Sequence, residues 1–328
     1  MLQLFWILLF SIARPDCILV QNPPAIPTLF VARVGAWLTG ARLIIDWHNY
    51  GYTLLGIKLG PSHPIVHTAK CFERFFGRHA YAHLCVTDAM AADLKSNWNI
   101  RDPQLAELAP LDSHADKQQS CKSLLTCRGA DGIVTMLPDR PMLVVSSTSW
   151  TPDEDFSVLL RALELYDYAC SSVQKGKSKL PPLMVVITGK GPLRKHYEAQ
   201  IAQLALRTVR IVTAWLTAED YPLLLGSADL GISLHTSSSG LDLPMKVVDM
   251  LGCGTPVCAY RFSCIGELVT EANGLVFDSA EELAGQLQDL AISQRSTHNG
   301  TYWRLLQGAA AFRQQDWSTN YHRVLDLL

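Results

Sequence analysis

The chain has 328 residues, of which 48% are hydrophobic and 18% charged, and its formal net charge at pH 7 is −2. This length suffices for two domains of ordinary size, each with its own core. The nearly balanced charge argues against a nucleic-acid-binding protein, which would need a basic patch. The nine cysteines show no metal-ligand spacing, so they give no indication of a zinc site.

The first apolar segment opens the chain and reads MLQLFWILLFSIARPD. Its hydrophobic run of about 13 residues is shorter than the roughly 20 that cross a bilayer as a helix. The segment also lacks the positively charged start of a signal peptide. Two interpretations stay open for residues 1–13: a core or interfacial helix, which could contact a membrane, or a signal or anchor segment.

Short β-branched runs then alternate with longer helical patterns, as is typical of a parallel sheet with crossover helices. In the first half, the predicted strands are Cys17–Gln21, Arg42–Asp46 and His83–Thr87. A threonine cap predicts a helix over Thr87–Trp98. The polar residues 112–140 show no periodicity and are predicted to be an insertion or linker.

The alternation restarts in the second half with MLVVSSTSW, a strand that leads into a polar turn, and a helix over Glu154–Tyr168. Further strands are predicted in PPLMVVITG and at Val209–Thr213, Asp229–Leu234, Pro256–Tyr260 and Gly274–Phe277. The last stretch, Asn299–Leu328, is predicted to be helical. The pattern therefore predicts two α/β domains, at 1–139 and 140–328, of which the first is too short to be complete.

Two glycine-containing turns are candidates for anion binding. In ITGKGPLR, Gly189 and Gly191 lie where a strand passes into a helix, so that backbone N–H groups and the helix N-terminus can approach a phosphate. Such turns are also common in α/β proteins without a ligand. The second candidate is Ser237–Gly240, which precedes a helix that begins near Pro244.

That helix carries acidic and basic side chains at helical spacing. Asp242, Lys246 and Asp249 fall within about 60° on a helical wheel, opposite the apolar Val247 and Val248. One interpretation is a solvated face in which Asp242 caps the helix and pairs with Lys246. The other is a nucleotide site, in which Lys246 neutralises a phosphate and Asp249 accepts hydrogen bonds from ribose hydroxyls. The preceding serines favour the nucleotide site.

These motifs carry a specific resemblance. The segments QNPPAIP, LIIDWHNYGYTLLG, SSTSWTPDEDF, ITGKGPLR, SSSGLDLPMKVVDM and NGLVF resemble the β-mannosyltransferases that act on dolichol-linked chitobiose, which are GT-B glycosyltransferases. The similarity runs from about residue 21 to the C-terminus. It implies two Rossmann-like α/β domains that face each other across a cleft. The C-terminal domain would hold GDP-mannose, and the N-terminal domain would hold the acceptor.

The resemblance also implies roles for individual residues. Lys246 would contact the diphosphate of GDP-mannose and Asp249 its ribose, while Asp242 would lie near the sugar. The phosphates would be cradled by the glycine and serine turns, namely Gly189, Gly191, Ser237, Ser238, Ser239 and Gly240. The family pattern has a glutamate eight residues before the ribose carboxylate. Leu241 stands at that position here, and Asp242 would substitute for it.

Transfer from an α-linked donor to a β-mannoside inverts the anomeric carbon and needs a base for the acceptor hydroxyl. Candidates lie at the carboxyl edge of a first-domain strand, where open α/β sheets place ligands: Asp46, His48 and Asn49. Histidine suits the task because it ordinarily titrates near neutral pH, although it could simply bond loop backbone. Glu154, with Asp155, is the next candidate, and helix capping is the alternative. Helix dipoles and Lys246 would stabilise the leaving group, so no cofactor or obligatory metal is expected.

The family begins with a membrane anchor and a strand–glycine loop–helix that this sequence does not show, so the N-terminal domain is expected to be incomplete. Two hypotheses follow. The chain is either a mannosyltransferase on the cytosolic face of the endoplasmic reticulum or a catalytically inactive donor-binding or interaction protein of the same family. The implied partners are GDP-mannose, dolichol-diphosphate-linked chitobiose, a membrane surface and other mannosyltransferases of the pathway, but not nucleic acid.

Overall fold

The structure is a computed structural model that describes residues 5–100, 104–105, 125–128, 134–137, 139–172, 180–296 and 300–314. It contains two parallel sheets, each flanked by helices, and a short antiparallel pair between them in the chain. Most of the insertion predicted at 112–140 and the end of the helix predicted to reach Leu328 lie outside the described residues.

The first sheet has four parallel strands in the order β1-β2-β3-β4. They are β1 (Cys17–Asn22), β2 (Arg42–Trp47), β3 (Ala82–Cys85) and β4 (Gln104–Leu105). Four helices connect them: α1 (Thr28–Thr39), α2 (Gly51–Leu59), α3 (Pro64–Gly77) and α4 (Asp88–Ser96). The three predicted strands are confirmed, but β3 ends at Cys85. Thr87 Oγ1 instead accepts a hydrogen bond from Met90 N and caps α4, as the sequence predicts.

The second sheet has six parallel strands in the order β12-β11-β10-β7-β8-β9, after the antiparallel pair β5 (Thr126–Arg128) and β6 (Val134–Met136). Its strands are β7 (Met142–Ser147), β8 (Leu183–Thr188), β9 (Val209–Ala214), β10 (Leu230–Ser233), β11 (Val257–Tyr260) and β12 (Gly274–Phe277). The direction of winding reverses between β7 and β10, and such switch points are where open α/β sheets bind ligands.

Among the described residues, six α-helices flank the second sheet: α5 (Phe156–Ser171), α6 (Arg194–Ile201), α7 (Asp220–Ser227), α8 (Met245–Gly252), α9 (Ala280–Arg295) and α10 (Thr301–Arg313). Burial of apolar side chains on both faces of the sheet stabilises this unit. Val247, Val248 and Leu251 of α8 are fully or almost fully buried, as their spacing predicts. The first sheet has a separate core around Trp47, Tyr50 and Trp98. The predicted boundary near residues 139–140 falls between the two sheets and stays a prediction.

The N-terminal segment packs on the first domain only in part. A π-helical turn covers Ile7–Ser11, and Phe5 contacts Phe30 edge to face. Trp6 is 62% exposed and Ile12 is 48% exposed, so of the predicted core or interfacial helix only the core alternative is wrong at these positions. Among the described residues, no helix combines the length and the apolar character that a bilayer span requires.

Candidate active site

A pocket of about 330 Å³ opens at the switch point of the second sheet. The carboxyl ends of β7 and β8 contribute Ser147, Thr148 and Thr188, and α8 contributes Lys246. The opposite wall follows β9 and enters α7; its residues are Trp215, Leu216, Thr217, Ala218 and Tyr221. Hydroxyls, an ammonium group and an exposed indole therefore converge in one cavity.

Glu154 contacts two residues that line this pocket, Thr148 and Lys246, and is almost completely buried. Its Oε2 accepts hydrogen bonds from Thr148 Oγ1 (2.6 Å) and Ser149 N (2.9 Å). Its Oε1 lies 2.5 Å from Lys246 Nζ. Glu154 therefore ties the loop after β7 to the lysine of α8, which favours a positioning role over that of a base. Asp155, not Glu154, caps α5, by accepting a hydrogen bond from Ser157 N.

Asp249 lies one turn after Lys246, at the side of the pocket that Tyr221 lines. The Tyr221 hydroxyl lies 3.3 Å from Asp249 Oδ2 and 3.0 Å from Ser147 Oγ. Burial raises the pKa of the Asp249 carboxyl, and the hydrogen bond from Tyr221 partly opposes this shift. A carboxylate at this place can accept hydrogen bonds from vicinal hydroxyls of a ligand.

The two glycines of the turn after β8 are needed for close packing. A Cβ at Gly189 would lie 1.8 Å from the Thr148 carbonyl oxygen, and one at Gly191 would lie 1.7 Å from that of Ser149. The turn therefore presses against the loop after β7 with no room for a side chain. Their predicted part in a phosphate cradle stays a prediction.

The serine turn Ser237–Gly240 uses most of its hydroxyls internally. Ser237 Oγ accepts a hydrogen bond from Gly240 N, and Ser239 Oγ accepts one from Leu241 N. Gly240 has a φ of +75°, which a residue without a Cβ adopts at little cost. Ser238 instead faces the first domain, where its Oγ lies 3.0 Å from Thr53 Oγ1. The predicted phosphate contacts of this turn are likewise untested.

The prediction that Asp242, Lys246 and Asp249 share one helix face is wrong for Asp242. Helix α8 begins at Met245, after Pro244, whose ψ of 111° is extended. Proline also disfavours helical geometry at Leu243, so the helix cannot reach back to Asp242. Asp242 neither caps α8 nor pairs with Lys246, and it contacts the first domain instead.

Asp242 and Asn49 join the two domains at the cleft. Asn49 Nδ2 donates to Asp242 Oδ2 (2.9 Å) and lies 3.2 Å from Ser238 Oγ. His235 Nε2 lies 3.5 Å from the same carboxylate, and its Nδ1 lies 3.7 Å from Asp153 Oδ2. Asp242 Oδ1 is buried and has no hydrogen-bond partner among the described residues. The carboxylate is thus held at the junction with one oxygen atom unused.

Asp46 and His48 lie at the carboxyl end of β2, next to this junction. His48 Nε2 lies 2.9 Å from Asp46 Oδ2, and both side chains are about one quarter exposed. If Nε2 carries the proton that this bond needs, Nδ1 is left as an acceptor. The structure therefore brings the predicted base candidates of the first domain to the cleft that the second-domain loop faces.

A buried carboxylate supports the turn that carries these residues. Glu73 is fully buried and accepts hydrogen bonds from Asn22 Nδ2 (2.6 Å), Gly51 N (2.9 Å) and Tyr52 N (3.1 Å). Burial raises the pKa of the Glu73 carboxyl, while these three donors act in the opposite direction. Asn22 Nδ2 also donates to the Asn49 carbonyl oxygen. Glu73 and Asn22 thereby fix the chain between β2 and α2.

Comparison with known proteins agrees with this geometry. Residues 2–110 match the family described as "Glycosyl transferase 4-like domain", and residues 135–300 match "Glycosyl transferases group 1". Over 98% of its length, the chain is 47% identical to the chitobiosyldiphosphodolichol beta-mannosyltransferase of Mus musculus, of which it spans 72%. The chain belongs to the chitobiosyldiphosphodolichol beta-mannosyltransferase family. It is 50% identical to the Homo sapiens member over 83% of the chain and spans 64% of that protein.

Solved structures place this family member in the GT-B class. Anabaena HepE in complex with UDP superposes with a TM-score of 0.65 at 15% identity, covering 94% of this chain and 77% of HepE. A point mutant of S. aureus TarM gives a TM-score of 0.68 at 10% identity, covering 99% of this chain and 58% of TarM. The predicted fold class, two Rossmann-like domains across a cleft, is confirmed.

Sequence reasoning missed several residues of this family member's cleft. His235 follows β10 at the switch point, and its position after a strand could have indicated it. Tyr221 and Trp215 carry no such signal, because they follow β9 in an ordinary loop-and-helix segment. Glu73 lies in the middle of α3, where only its lack of exposure distinguishes it from a surface glutamate.

Proposed function

We propose that this chain transfers mannose from GDP-mannose to chitobiose diphosphodolichol, with inversion and formation of a β-1,4 linkage. The observation that carries the proposal is the junction of the two domains. Asn49, which follows the His48–Asp46 pair, donates to Asp242, and the helix that begins three residues after Asp242 carries the pocket lysine Lys246 and Asp249, a contact of the lining residue Tyr221. The names of the relatives at 47–50% identity supply the acceptor. No observation on the described residues favours the catalytically inactive alternative.

The donor would occupy the pocket at the switch point. Lys246 supplies a positive charge for the diphosphate, and Glu154 holds its ammonium group in place. Asp249 accepts the ribose hydroxyls, while the exposed indole of Trp215 offers a surface for the base. The turns at Gly189, Gly191 and Ser237–Gly240 would bring backbone N–H groups to the phosphates.

The base would be His48, which Asp46 orients. As the acceptor oxygen forms its bond to the anomeric carbon, the bond from that carbon to the phosphate oxygen breaks, and its electron pair leaves with GDP. The hydroxyl proton passes to His48 Nδ1, and Asp46 stabilises the resulting imidazolium. Lys246 meets the charge on the leaving diphosphate, so the proposal includes no metal or other cofactor.

The chain would act at a membrane, because its acceptor is a membrane lipid. The resemblance to the family implies that this membrane is the endoplasmic reticulum and that the chain acts at its cytosolic face. Several apolar side chains of the first domain are exposed and could lie at a bilayer surface, among them Trp6, Trp37, Ile65 and Phe75. Complexes with other mannosyltransferases of the pathway belong to the same proposal.

The test is mannose transfer from GDP-mannose to lipid-linked chitobiose diphosphate in detergent. We expect the wild-type chain to transfer, and His48→Gln to lose about 10²–10⁴-fold in kcat because the base is absent. GDP affinity of His48→Gln, measured by calorimetry, should match the wild type. His67→Gln, which changes an exposed histidine of α3, is the matched control and should keep full activity.

Two outcomes would contradict the proposal. GDP binding by the wild type without any transfer would support the inactive alternative. Full activity of His48→Gln would remove His48 as the base and leave Asp46 as the remaining candidate of this pair.

A further inference from the structure

The turn that carries His48 and Asn49 is held by two fully buried residues, Asn22 at the end of β1 and Glu73 in α3. The carbonyl oxygen of Asn22 accepts hydrogen bonds from His48 N (2.9 Å) and Asn49 N (3.4 Å). Asn22 Nδ2 donates in turn to the carbonyl oxygen of Asn49 (3.1 Å). Asn22 therefore fixes the backbone of both residues of the turn.

Glu73 holds the part of the turn that leads into α2. Its Oε1 accepts hydrogen bonds from Asn22 Nδ2 and Gly51 N, and its Oε2 accepts one from Tyr52 N. Gly51 and Tyr52 open α2, and the first N–H groups of a helix have no partner within it. The residue before them, Tyr50, provides no side-chain cap. The carboxylate of Glu73 thus caps α2 from another helix, where a negative charge is favourable.

The amide of Asn22 has one usable orientation. Its Nδ2 donates to two acceptors, the carbonyl oxygen of Asn49 and Glu73 Oε1. Its Oδ1 is buried and has no hydrogen-bond partner among the described residues, which is unfavourable for the fold. Turning the amide would place Oδ1 against both acceptor oxygens. The arrangement therefore requires an amide at position 22 and a carboxylate at position 73 together.

We propose that Glu73 and Asn22 are positioning residues for the transfer of mannose and that they act through His48. This inference rests on the proposed function for the role of His48 as the base. A base must lie within hydrogen-bond reach of the hydroxyl that it deprotonates, and a misplacement of about 1 Å can lower the rate about 10²-fold. The bond to Asp46 orients the ring of His48, whereas the place of its backbone depends on Asn22 and, through Asn22, on Glu73.

The first test measures the kinetics of mannose transfer to lipid-linked chitobiose diphosphate by the complete chain. Glu73→Gln keeps the shape of the side chain, but its NH₂ group cannot accept a hydrogen bond and must face an N–H donor of the turn. We expect kcat to fall at least about tenfold, while the KM for GDP-mannose stays unchanged because the donor pocket is untouched. Glu281→Gln, which changes an exposed glutamate of α9, is the matched control and should keep the wild-type kcat.

A double-mutant cycle separates positioning from a general loss of structure. A residue that acts through His48 should cause no further loss of kcat once His48→Gln has removed the base, whereas a merely structural role would lower kcat in both backgrounds. If Glu73→Gln does not fold, Asn22→Leu takes its place in the cycle, because it keeps the shape of Asn22 and removes the Nδ2 donor. Equal losses in the two backgrounds, or full kcat in Glu73→Gln, would overturn the proposal.

Hydrogen exchange tests the same positioning without turnover. Four backbone N–H groups within residues 48–52 bond Asn22 or Glu73. Their exchange, measured by mass spectrometry on a peptide that spans 47–53, should be faster in Glu73→Gln and unchanged in Glu281→Gln. Faster exchange in a chain whose wild type transfers no mannose would retain the positioning of the turn and reject the proposed function. Unchanged exchange in Glu73→Gln would overturn the proposal even where the wild type is active.

Discussion

The ammonium group of Lys246 is bound to a carboxylate before any ligand arrives. Glu154 is almost completely buried, and its remaining lone pairs already serve Thr148 and Ser149. A buried acid that loses its cation keeps an uncompensated charge, which typically costs about 3–5 kcal/mol. Because Lys246 is 24% exposed, water screens part of that cost. Under the proposed role of Lys246 at the diphosphate, the pair therefore couples donor binding to the stability of the second domain.

This coupling predicts a non-additive pair of substitutions. Lys246→Met should lower the free energy of unfolding and weaken GDP binding, whereas Lys246→Met with Glu154→Gln should recover much of the stability but not the binding. The double-mutant cycle consists of the wild type, Lys246→Met, Glu154→Gln and the double variant. Urea denaturation gives the free energy of unfolding of each protein, and calorimetry gives its GDP affinity. Lys195→Met, which changes an exposed lysine of α6, is the control and should match the wild type in both measurements. Additive stability changes would show that the two side chains do not interact.

At the scale of elements, the turn between β8 and α6 packs closely against the loop after β7. The missing Cβ atoms of Gly189 and Gly191 let it reach the carbonyl oxygens of the loop after β7. That contact holds the glycine turn and the loop that bears Thr148 as a single surface of the pocket.

A methyl group at either glycine should therefore be destabilising. Gly191→Ala places a Cβ 1.7 Å from the Ser149 oxygen, and overpacking of this kind costs about 1–3 kcal/mol or more. Gly285→Ala in α9 is the opposite case, because its Cβ would meet no atom within 4 Å and alanine favours helix by about 1 kcal/mol. Urea midpoints should fall for the first and rise for the second. An unchanged midpoint in Gly191→Ala would refute the close contact.

The elements were largely predictable from the sequence, and the site was predictable only in part. Strands such as Gly274–Phe277 are short apolar runs that local pattern alone specifies. The helix predicted to include Asp242 fails because Leu243–Pro244 stops it, a local signal that was present in the sequence. The pairing of Lys246 with Glu154, 92 positions away, and of Asn49 with Asp242, 193 positions away, arises only when the sheets assemble. Periodicity carries no information about such contacts.

For the molecule as a whole, the free energy of unfolding should depend on pH through a buried histidine of the first domain. His83 in the first core is 4% exposed and accepts a hydrogen bond from Trp47 Nε1 through Nδ1, which requires the neutral ring. Burial lowers the pKa of His83 from 6.5 to about 4. Protons therefore bind the unfolded chain more strongly between those values, and this contribution to stability is present above pH 6.5 and is lost as the pH falls toward 4.

The expected loss from His83 is about 2 kcal/mol at pH 5 relative to pH 7. The carboxyls of Glu73 and Asp249 have raised pKa values and act in the opposite direction, so the comparison must be with a variant rather than with pH alone. His83→Gln keeps an acceptor for Trp47 but does not titrate. Its unfolding free energy should change less from pH 7 to pH 5 than that of the wild type. Identical pH profiles would contradict the assignment.

A second contact between the domains lies at the start of α4. Glu267 accepts hydrogen bonds from Asp88 N (2.7 Å) and Ala89 N (3.1 Å), so a carboxylate of the second domain satisfies the helix N-terminus of the first. Glu267→Ala should loosen the domains and increase the radius of gyration measured by small-angle X-ray scattering. Glu271→Ala, an exposed glutamate nearby, should leave the radius of gyration unchanged. Equal radii in the wild type and Glu267→Ala would show that this contact does not hold the cleft.

The amide of Asn49 has a consequence for how such enzymes can be recombined. It belongs to the turn between β2 and α2 of the first domain, yet its nitrogen donates to Asp242 and Ser238 of the second domain. Consider a chimera in which this first domain is joined to the second domain of a transferase for another sugar nucleotide. It would keep both hydrophobic cores but lose the hydrogen bonds of Asn49 to Asp242 and Ser238. Grafts that carry Ser238 and Asp242 with them should retain these bonds. The two domains of this protein are thus matched to each other through these side chains, so that a change in one domain requires a compatible partner in the other.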